Sequence, residues 1–420
     1  MMILGLPQDD VLRLLSGVRP AAEGSAQGAS GSPDSGEAAE AFARVAWTVL
    51  AEPADEVASG LIEALGAAGA LEAVLGRLGP SGAPGAREVA GVDPRRLQLG
   101  LARWRTRASS REVVRALEQA ARFGCRLLLP GDPEWPRGLE DLGPRAPFAL
   151  WARGRAGLLG ASAHASSHAP SQARPEAVAI VGARAATGYG EHVAAEFAAG
   201  LAERGVVVVS GGAYGIDGAA HRGALATEGE TVAVLAGGLD RFYPAGHESL
   251  LRRIVDGGAV LAEVPCGTPP TRFRFLQRNR LIAAMSASVV VVEAGARSGS
   301  LNTAGHAAEI GRPIGAVPGP VTSAASAGCH RLLREFPSVC VTSVDEVLAL
   351  HRPGAEEPGR FDRPSLEALR VLDALRPRKA RGTEELARLS GLAASEVRAV
   401  LGRLELEGQV ARGAEGWVRR

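Results

Sequence analysis

Between residues 178 and 317 the chain carries six short runs that are apolar at nearly every position: 178–181 (VAIV), 206–209 (VVVV), 231–235 (TVAVL), 259–262 (AVLA), 288–293 (SVVVVE) and 313–317 (PIGAV). A strand with one face in water alternates apolar and polar residues. Runs without that alternation are buried on both faces, as the strands of a parallel sheet covered by helices are. Between the first two runs, Val193, Phe197 and Leu201 stand at i, i+4 and i+8, a single stripe suited to packing on such a sheet. Six strand–helix units predict a doubly wound, mostly parallel α/β domain. Ligands of these sheets sit outside the carboxyl ends of the strands.

The rest of the 420 residues leaves room for one or two further domains. Residues 1–156 form an N-terminal, mainly helical segment, with helical spacing at Val45, Val49 and again at Leu61, Leu65. Within it, 20–40 is rich in Gly, Ala, Ser and Pro and reads as a disordered insertion. Its end, 123–154, has apolar runs broken by Pro and Gly, which suggest a few short strands and turns. Residues 157–177 read as a linker; His164 and His168 there have no third ligand and are taken as solvated linker residues. The sheet domain occupies 178–350, a Pro/Gly-containing linker 351–363, and a last domain 364–420. That domain shows helix, Gly391 turn, second helix and two short strands around Gly413 and Gly416, the pattern of a winged helix. There Glu396, Glu405 and Glu407 offset Arg398 and Arg403, so protein contact is as good a role for it as duplex binding.

Every strand end in the sheet domain carries a glycine-rich or polar loop: GARAATGYG (182–190), SGGAYGID (210–217), AGGLD (236–240) and EAGARSGSLNTAGH (293–306). Backbone amides of such loops, beside helix N-termini, form anion sites. Tight turns in a chain with 54 glycines would give the same composition at any one loop. Together at one sheet edge they favour a phosphate-bearing ligand. No GxGxxG follows the first strand and no acid closes the second, which argues against a nicotinamide cofactor; GxxxxGK[ST] is also missing. No cofactor or metal is expected.

The segment TRFRFLQRNRLIAAMS (271–286) holds Arg272, Arg274, Arg278 and Arg280 interleaved with Phe273 and Phe275. Arginine neutralises phosphate and phenylalanine offers a stacking face, which suits single-stranded nucleic acid. A solvated basic turn with the rings packed inward is the competing reading. Net charge is only +1, and nearly all the positive charge is arginine, so a single Arg carries little information in this chain. Asp217 and His221 share a helix face and read as a capping carboxylate with a hydrogen-bonded imidazole. Glu293 could serve as a base but has no nucleophile beside it in sequence. The chain therefore reads as a binder, with no catalytic residues. Cys125, Cys266, Cys329 and Cys340 form no CxxC pair and read as isolated thiols in a reducing compartment. No apolar run approaches ~18 residues and no leader is evident, so the protein is expected in the cytoplasm, away from membranes.

These segments resemble the bacterial DNA-processing protein A family (DprA, also called Smf). The matching pieces are VAIVGARAATGYG, VVVVSGGAYGIDGAAHRGAL, TVAVLAGGLDRFYPAGHESL, QRNRLIAAMS, VVVVEAGARSGSLNTAGHAAEIGRPIGAVPGP and TSAASAGCHRLL, in the family's order over about 178–345. The resemblance implies a Rossmann-like core that binds and protects single-stranded DNA, forms a homodimer, and helps load RecA recombinase in natural transformation. Gly182 and Arg184 match its first phosphate loop; Ser210, Gly211, Gly212, Gly215, Ile216 and Asp217 match the second. Arg278, Asn279 and Arg280 match its RNR signature, and Ser298, Gly299 and Ser300 its later Ser-Gly loop. Tyr214, Phe273 and Phe275 are candidates for base stacking. The chain departs from the family pattern at Tyr214 and Ala185, where basic residues are usual, at His330 in place of Asn, and at 50–57, which lacks helix-hairpin-helix glycines. A Rossmann-like nucleotide hydrolase would carry a GGxGT-type loop, which SGSLNT does not fit; a nucleotide-ligand sensor is the other alternative.

Overall fold

The computed structural model describes residues 2–3, 5–19, 35–76, 93–160, 176–352, 365–377, 379–406, 408–413 and 415–420. They belong to two compact units, Met1–Ala355 and Glu356–Arg420.

The first unit opens with a short antiparallel pair, β1 (Met2–Ile3) and β2 (Leu6–Pro7), and the helices α1 (Gln8–Ser16), α2 (Ser35–Leu50), α3 (Glu56–Val74), α4 (Pro94–Arg107) and α5 (Ser110–Arg122). Of the stretch 20–40 expected to be disordered, 20–34 lie outside the described residues, but 35–40 are the first turns of α2. The alanines that make this stretch look low in complexity are good helix formers, and Ala38 is buried. Trp47 centres the layer: its ring meets Trp104 edge-on at 5.1 Å and its Nε1 donates to the Ala67 carbonyl at 3.0 Å. By length and composition α3 could cross a membrane, contrary to the expectation of no such run. It is instead broken at Gly66 (φ 71°, ψ 163°), and Val57, Ala58, Leu61, Ala67, Ala70 and Leu71 are buried in the core. The Glu40 carboxylate accepts from the Ala67 and Ala68 amides at 3.0 Å each, capping the half-helix that restarts after the break. In the α2–α3 turn, where helix-hairpin-helix glycines are missing, Ala54 takes a left-handed conformation (φ 63°).

The sheet follows. Its strands are β3 (Arg126–Leu128), β4 (Leu150–Gly154), β5 (Ala177–Val181), β6 (Val207–Ser210), β7 (Thr231–Leu235), β8 (Ala259–Ala262), β9 (Ser288–Val291), β10 (Ile314–Ala316) and β11 (Ser338–Cys340). Their order is β11-β10-β9-β5-β6-β7-β8-β4-β3, parallel from β11 to β8 and antiparallel at the last two pairs. All six expected strands are present to within two residues, and β11, β4 and β3 extend the sheet beyond them. The helices α6 (Gly188–Ala202), α7 (Ile216–Ala226), α8 (Glu248–Gly257), α9 (Arg272–Ala284), α10 (Ser300–Glu309), α11 (Ala327–Glu335) and α12 (Val344–Ala349) cover both faces. Alternate strand residues go to opposite faces. Val178 and Ile180 pack with Phe197 and Leu201 of α6 and with α7 and α12, whereas Ala177, Ala179 and Val181 pack with α9, α10 and α11. Of the expected linker 157–177, 161–175 lie outside the described residues, His164 and His168 among them.

The second unit comprises α13 (Leu366–Ala374), α14 (Thr383–Ser390), α15 (Ala394–Leu406) and the antiparallel pair β12 (Val410–Gly413) and β13 (Gly416–Arg419). Gly391 ends α14 in the left-handed conformation (φ 67°), as the turn between two helices requires. Arg381 exchanges both backbone hydrogen bonds with Trp417, at 3.0 and 2.9 Å, adding a one-residue third strand beside β13. Val371, Leu386, Val397 and Leu401 are fully buried, so this winged helix has its own core.

Candidate functional site

Strand succession runs β5 to β8 in one direction, then returns through α9 to place β9 on the other side of β5. The loops leaving β5 and β9 therefore diverge, which opens a crevice at the carboxyl edge. A cleft of about 950 Å³ lies there, lined by Gly182, Arg184, Asp217, Arg272, Phe275, Arg278, Asn279, Arg297, Ser298, Gly299 and Ser300 among others. Among its lining residues four arginines face a single carboxylate, that of Asp217. Arg184, Arg272 and Arg297 are exposed, and none is ion-paired among the described residues.

The second loop is built around Arg278. This side chain is only 6 % exposed; its guanidinium donates to the Gly211 carbonyl at 2.7 Å and to the carbonyl of Val234. A Cβ on Gly211 would stand 2.5 Å from one Arg278 nitrogen and 2.6 Å from an Asp217 oxygen. Gly211 is thus the slot through which a buried cation and a buried anion approach each other. Burial pushes the Asp217 carboxyl up, against the pull of Arg278, while its oxygen accepts from the Ala213 amide at 3.3 Å. Burial, with the charge of Arg184, brings the Arg278 guanidinium down to about 10, still a cation at neutral pH. Gly215 (φ 73°) opens α7, where a Cβ would lie 2.3 Å from the Ala183 carbonyl. A Cβ on Gly182 would lie 2.5 Å from the Ile216 side chain. The glycines of SGGAYGID thus answer first to the protein's own atoms.

Phe275 holds the exposed cation. The Arg184 guanidinium lies over its ring at 4.5 Å, Arg278 lies 5.9 Å from it, and the Tyr243 ring packs against it at 5.8 Å. The stack presents the flat outer face of Arg184 to the cleft. On the far wall the α10 N-terminus supplies a partial positive charge, with Gly299 at its cap. The Ser298 and Ser300 hydroxyls bond each other at 2.7 Å, and the Asn279 amide donates to the Gly299 carbonyl and to Asn302 Oδ1, each at 3.2 Å. Asn279 thereby ties α9 to the Ser-Gly loop.

Other residues singled out in the sequence stand elsewhere. Ser210 is fully buried and donates to the Ile180 carbonyl at 2.6 Å. Gly212 lies beneath the cleft, its carbonyl accepting from His247 Nδ1 at 3.1 Å. Tyr214 sits edge-on to His247 at 4.7 Å, its hydroxyl accepting from the Gly246 amide. Phe273 faces a separate groove with Leu99 and Pro53. Arg280 is fully buried in a two-point pair with Glu263 at 2.6 and 2.8 Å, and donates to the carbonyls of Arg145 and Gln277. Arg274 grips Glu52 of the α2–α3 turn at 3.0 Å through two nitrogens. The four arginines of TRFRFLQRNR therefore divide into one exposed, one in a half-buried pair and two buried. Glu293 takes the Thr187 amide and hydroxyl, each at 2.8 Å, and so fastens the start of α6. His221 donates from Nδ1 to Thr231 Oγ1 at 2.7 Å, and burial holds its ring neutral, down to about 3. His330 donates to the Gly319 carbonyl at 2.9 Å. Arg297 was not singled out in the sequence, because one more arginine in an arginine-rich chain gives no signal.

A sequence model described as DNA recombination-mediator protein A matches residues 126–352, beginning at β3, and one described as DprA winged helix domain matches 355–416. The chain is 48 % identical over 334 residues to a Mycobacterium tuberculosis protein carrying the name DNA processing protein DprA, covering 75 % of this chain and 82 % of that one. It is 44 % identical over 172 residues to DNA processing protein DprA of Streptococcus pneumoniae, 41 % of this chain and 60 % of the relative. The solved structure of DNA processing protein A from Streptococcus pneumoniae superposes with a TM-score of 0.55 at 29 % identity, covering 74 % of this chain and 96 % of that one.

Proposed function

Because the chain belongs to the DprA/Smf family of DNA-processing proteins, we propose that it binds single-stranded DNA along the cleft at the carboxyl edge of its sheet and delivers that strand to RecA during recombination. The observation that carries this is the charge pattern: three exposed arginines with no ion pair among the described residues, and a helix N-terminus, around one buried carboxylate. Such a cleft attracts phosphate and repels few anions. The guanidinium of Arg184, held flat on Phe275, can meet either a phosphate or the face of an unpaired base. A duplex, in contrast, offers its bases only to elements fitted into a groove. We assign it a binding role without turnover, since the groups best suited to acid–base work, Glu293 and His221, are committed inside the fold. We assign it to the cytoplasm, where recombining DNA is handled, and to a homodimer. The edge of β11, which no other strand pairs among the described residues and where Val339 is half exposed, supports pairing with a second copy, because an open sheet edge invites association. The test is a binding titration with a labelled oligonucleotide as single strand and as duplex at physiological salt. Tighter binding of the single strand is expected; equal affinity for the two forms would overturn the proposal.

A further inference from the structure

Folding brings together two cysteines that read as isolated in sequence: Cys125 Sγ and Cys266 Sγ stand 3.8 Å apart, both buried. Cys125 lies between α5 and β3, and Cys266 lies in the loop from β8 to α9. We propose that this pair is a reversible oxidation site, closed to a disulfide by a hydroperoxide and reopened by a dithiol.

The geometry needs little change. A disulfide bond is about 2.05 Å long, so the sulfurs have under 2 Å to travel. Both lie in loops beside a glycine of left-handed conformation, Gly124 (φ 65°) before Cys125 and Gly267 (φ 83°) after Cys266, where the backbone has room to adjust. The oxidant has a way in. Cys266 lines a cavity of about 160 Å³ with Glu52, Arg107, Gln119 and Arg274. A water molecule takes up about 30 Å³ of liquid, so a small hydroperoxide fits.

The two thiols are not equivalent. The hydrogen bond between the two sulfurs, helped by the amides of Leu239 and Asp240, holds the Cys266 thiol below its ordinary value against burial. The same bond, and burial, push Cys125 up. Cys266 lines that cavity and Cys125 does not, so Cys266 is the sulfur the oxidant reaches and Cys125 the one that resolves. The Cys266 sulfur bonds one peroxide oxygen, the O–O bond breaks, and the departing hydroxide takes a proton to become water. The Cys125 sulfur then attacks the resulting sulfenic acid. Its S–O bond breaks, and the hydroxyl leaves as a second water with the Cys125 proton. Two thiols and one hydrogen peroxide give a disulfide and two waters, the two electrons passing from sulfur to oxygen. The other thiols are placed differently: Cys329 is buried against the Val291 carbonyl and pushed to about 12 by burial, and Cys340 is exposed on β11.

The bond would tie the N-terminal layer to a loop that reaches the cleft. Gly267 donates to Asp240 at 2.7 Å, and Thr271 caps α9, the helix that carries Arg272 and Arg278. The test uses the full chain with Cys340→Ser, which removes the exposed thiol that could link two molecules. The protein is titrated with hydrogen peroxide, alkylated and mapped as peptides without reduction. A 125–266 linked peptide, loss of two free thiols and a higher melting temperature, all reversed by dithiothreitol, are expected. With Cys125→Ser added, a sulfenic-acid trap should label Cys266. No linked peptide at peroxide doses that already oxidise methionine, or a trap label on Cys329 in place of Cys266, would overturn the proposal.

Discussion

Arg280→Ala should destabilise the sheet unit severely while leaving the cleft's chemistry in place. Arg280 is 0 % and Glu263 7 % exposed, so the substitution strands a carboxylate where water does not reach it. Removing one partner of such a buried pair costs about 3–5 kcal/mol. The carbonyls of Arg145 and Gln277 also lose their donor, at about 1 kcal/mol each where no water replaces it. For a unit of more than 250 residues each kcal/mol lowers the melting temperature by about 1–2 °C, so the combined loss of ~5–7 kcal/mol should lower it by ~5–14 °C. Tryptophan fluorescence during urea and thermal unfolding follows it, since Trp47, Trp104, Trp135 and Trp151 are all buried in this unit. Taking both charges away, in Glu263→Gln with Arg280→Met, should cost less than Arg280→Ala alone, because no ion is left unpaired. A single variant within 1 kcal/mol of the parent would refute the reasoning. So would a double variant less stable than the single one.

Arg184→Ala, at an exposed side chain, should weaken single-stranded DNA binding by about 1.5–3 kcal/mol with little change in melting temperature, as fluorescence anisotropy and a thermal scan would show. Arg278→Ala should lower both affinity and stability, since its buried guanidinium also holds the carbonyls of Gly211 and Val234; affinity loss with unchanged stability would contradict this. His221 is pushed down from 6.5 to about 3, so below pH ~6.5 the unfolded chain binds a proton that the folded one refuses. Stability from this group is complete above pH ~6.5 and declines on acidification by up to ~1.4 kcal/mol per pH unit until pH ~3. His221→Gln should make the decline between pH 7 and 4.5 shallower in urea titrations.

Most of the sheet was legible because a two-faced buried strand cannot hide its composition, and the Val193–Phe197–Leu201 stripe marks the helix that covers it. Of the added strands, β3 and β4 fall within 123–154, where short strands are expected from the Pro- and Gly-broken apolar runs, whereas β11 is an edge strand with Val339 half exposed and lacks the two-faced apolar signature. The second unit showed itself through Gly391, whose left-handed conformation a turn between helices favours. The site was legible as a set of loops but not as a division of labour. Nothing local distinguishes Arg272, which stays exposed, from Arg274 and Arg280, because their partners Glu52 and Glu263 come from other elements. The second loop's glycines suggested a ligand pressed against the backbone, and the structure sets Arg278, Asp217 and the Ala183 carbonyl there.

Arg184, Arg272 and Arg297 provide the most direct measurement of whether the cleft is the DNA site, because they are exposed, line it and have no ion pair among the described residues. Affinity for a single-stranded oligonucleotide is measured across a salt series for the parent and for the triple alanine variant. Each phosphate contact to a single strand contributes ~0.7 to the slope of log affinity against log salt. Loss of all three contacts should flatten that slope by about 2 and weaken binding at every salt concentration. A triple variant that folds like the parent and keeps the parent's slope would place the DNA elsewhere on the molecule.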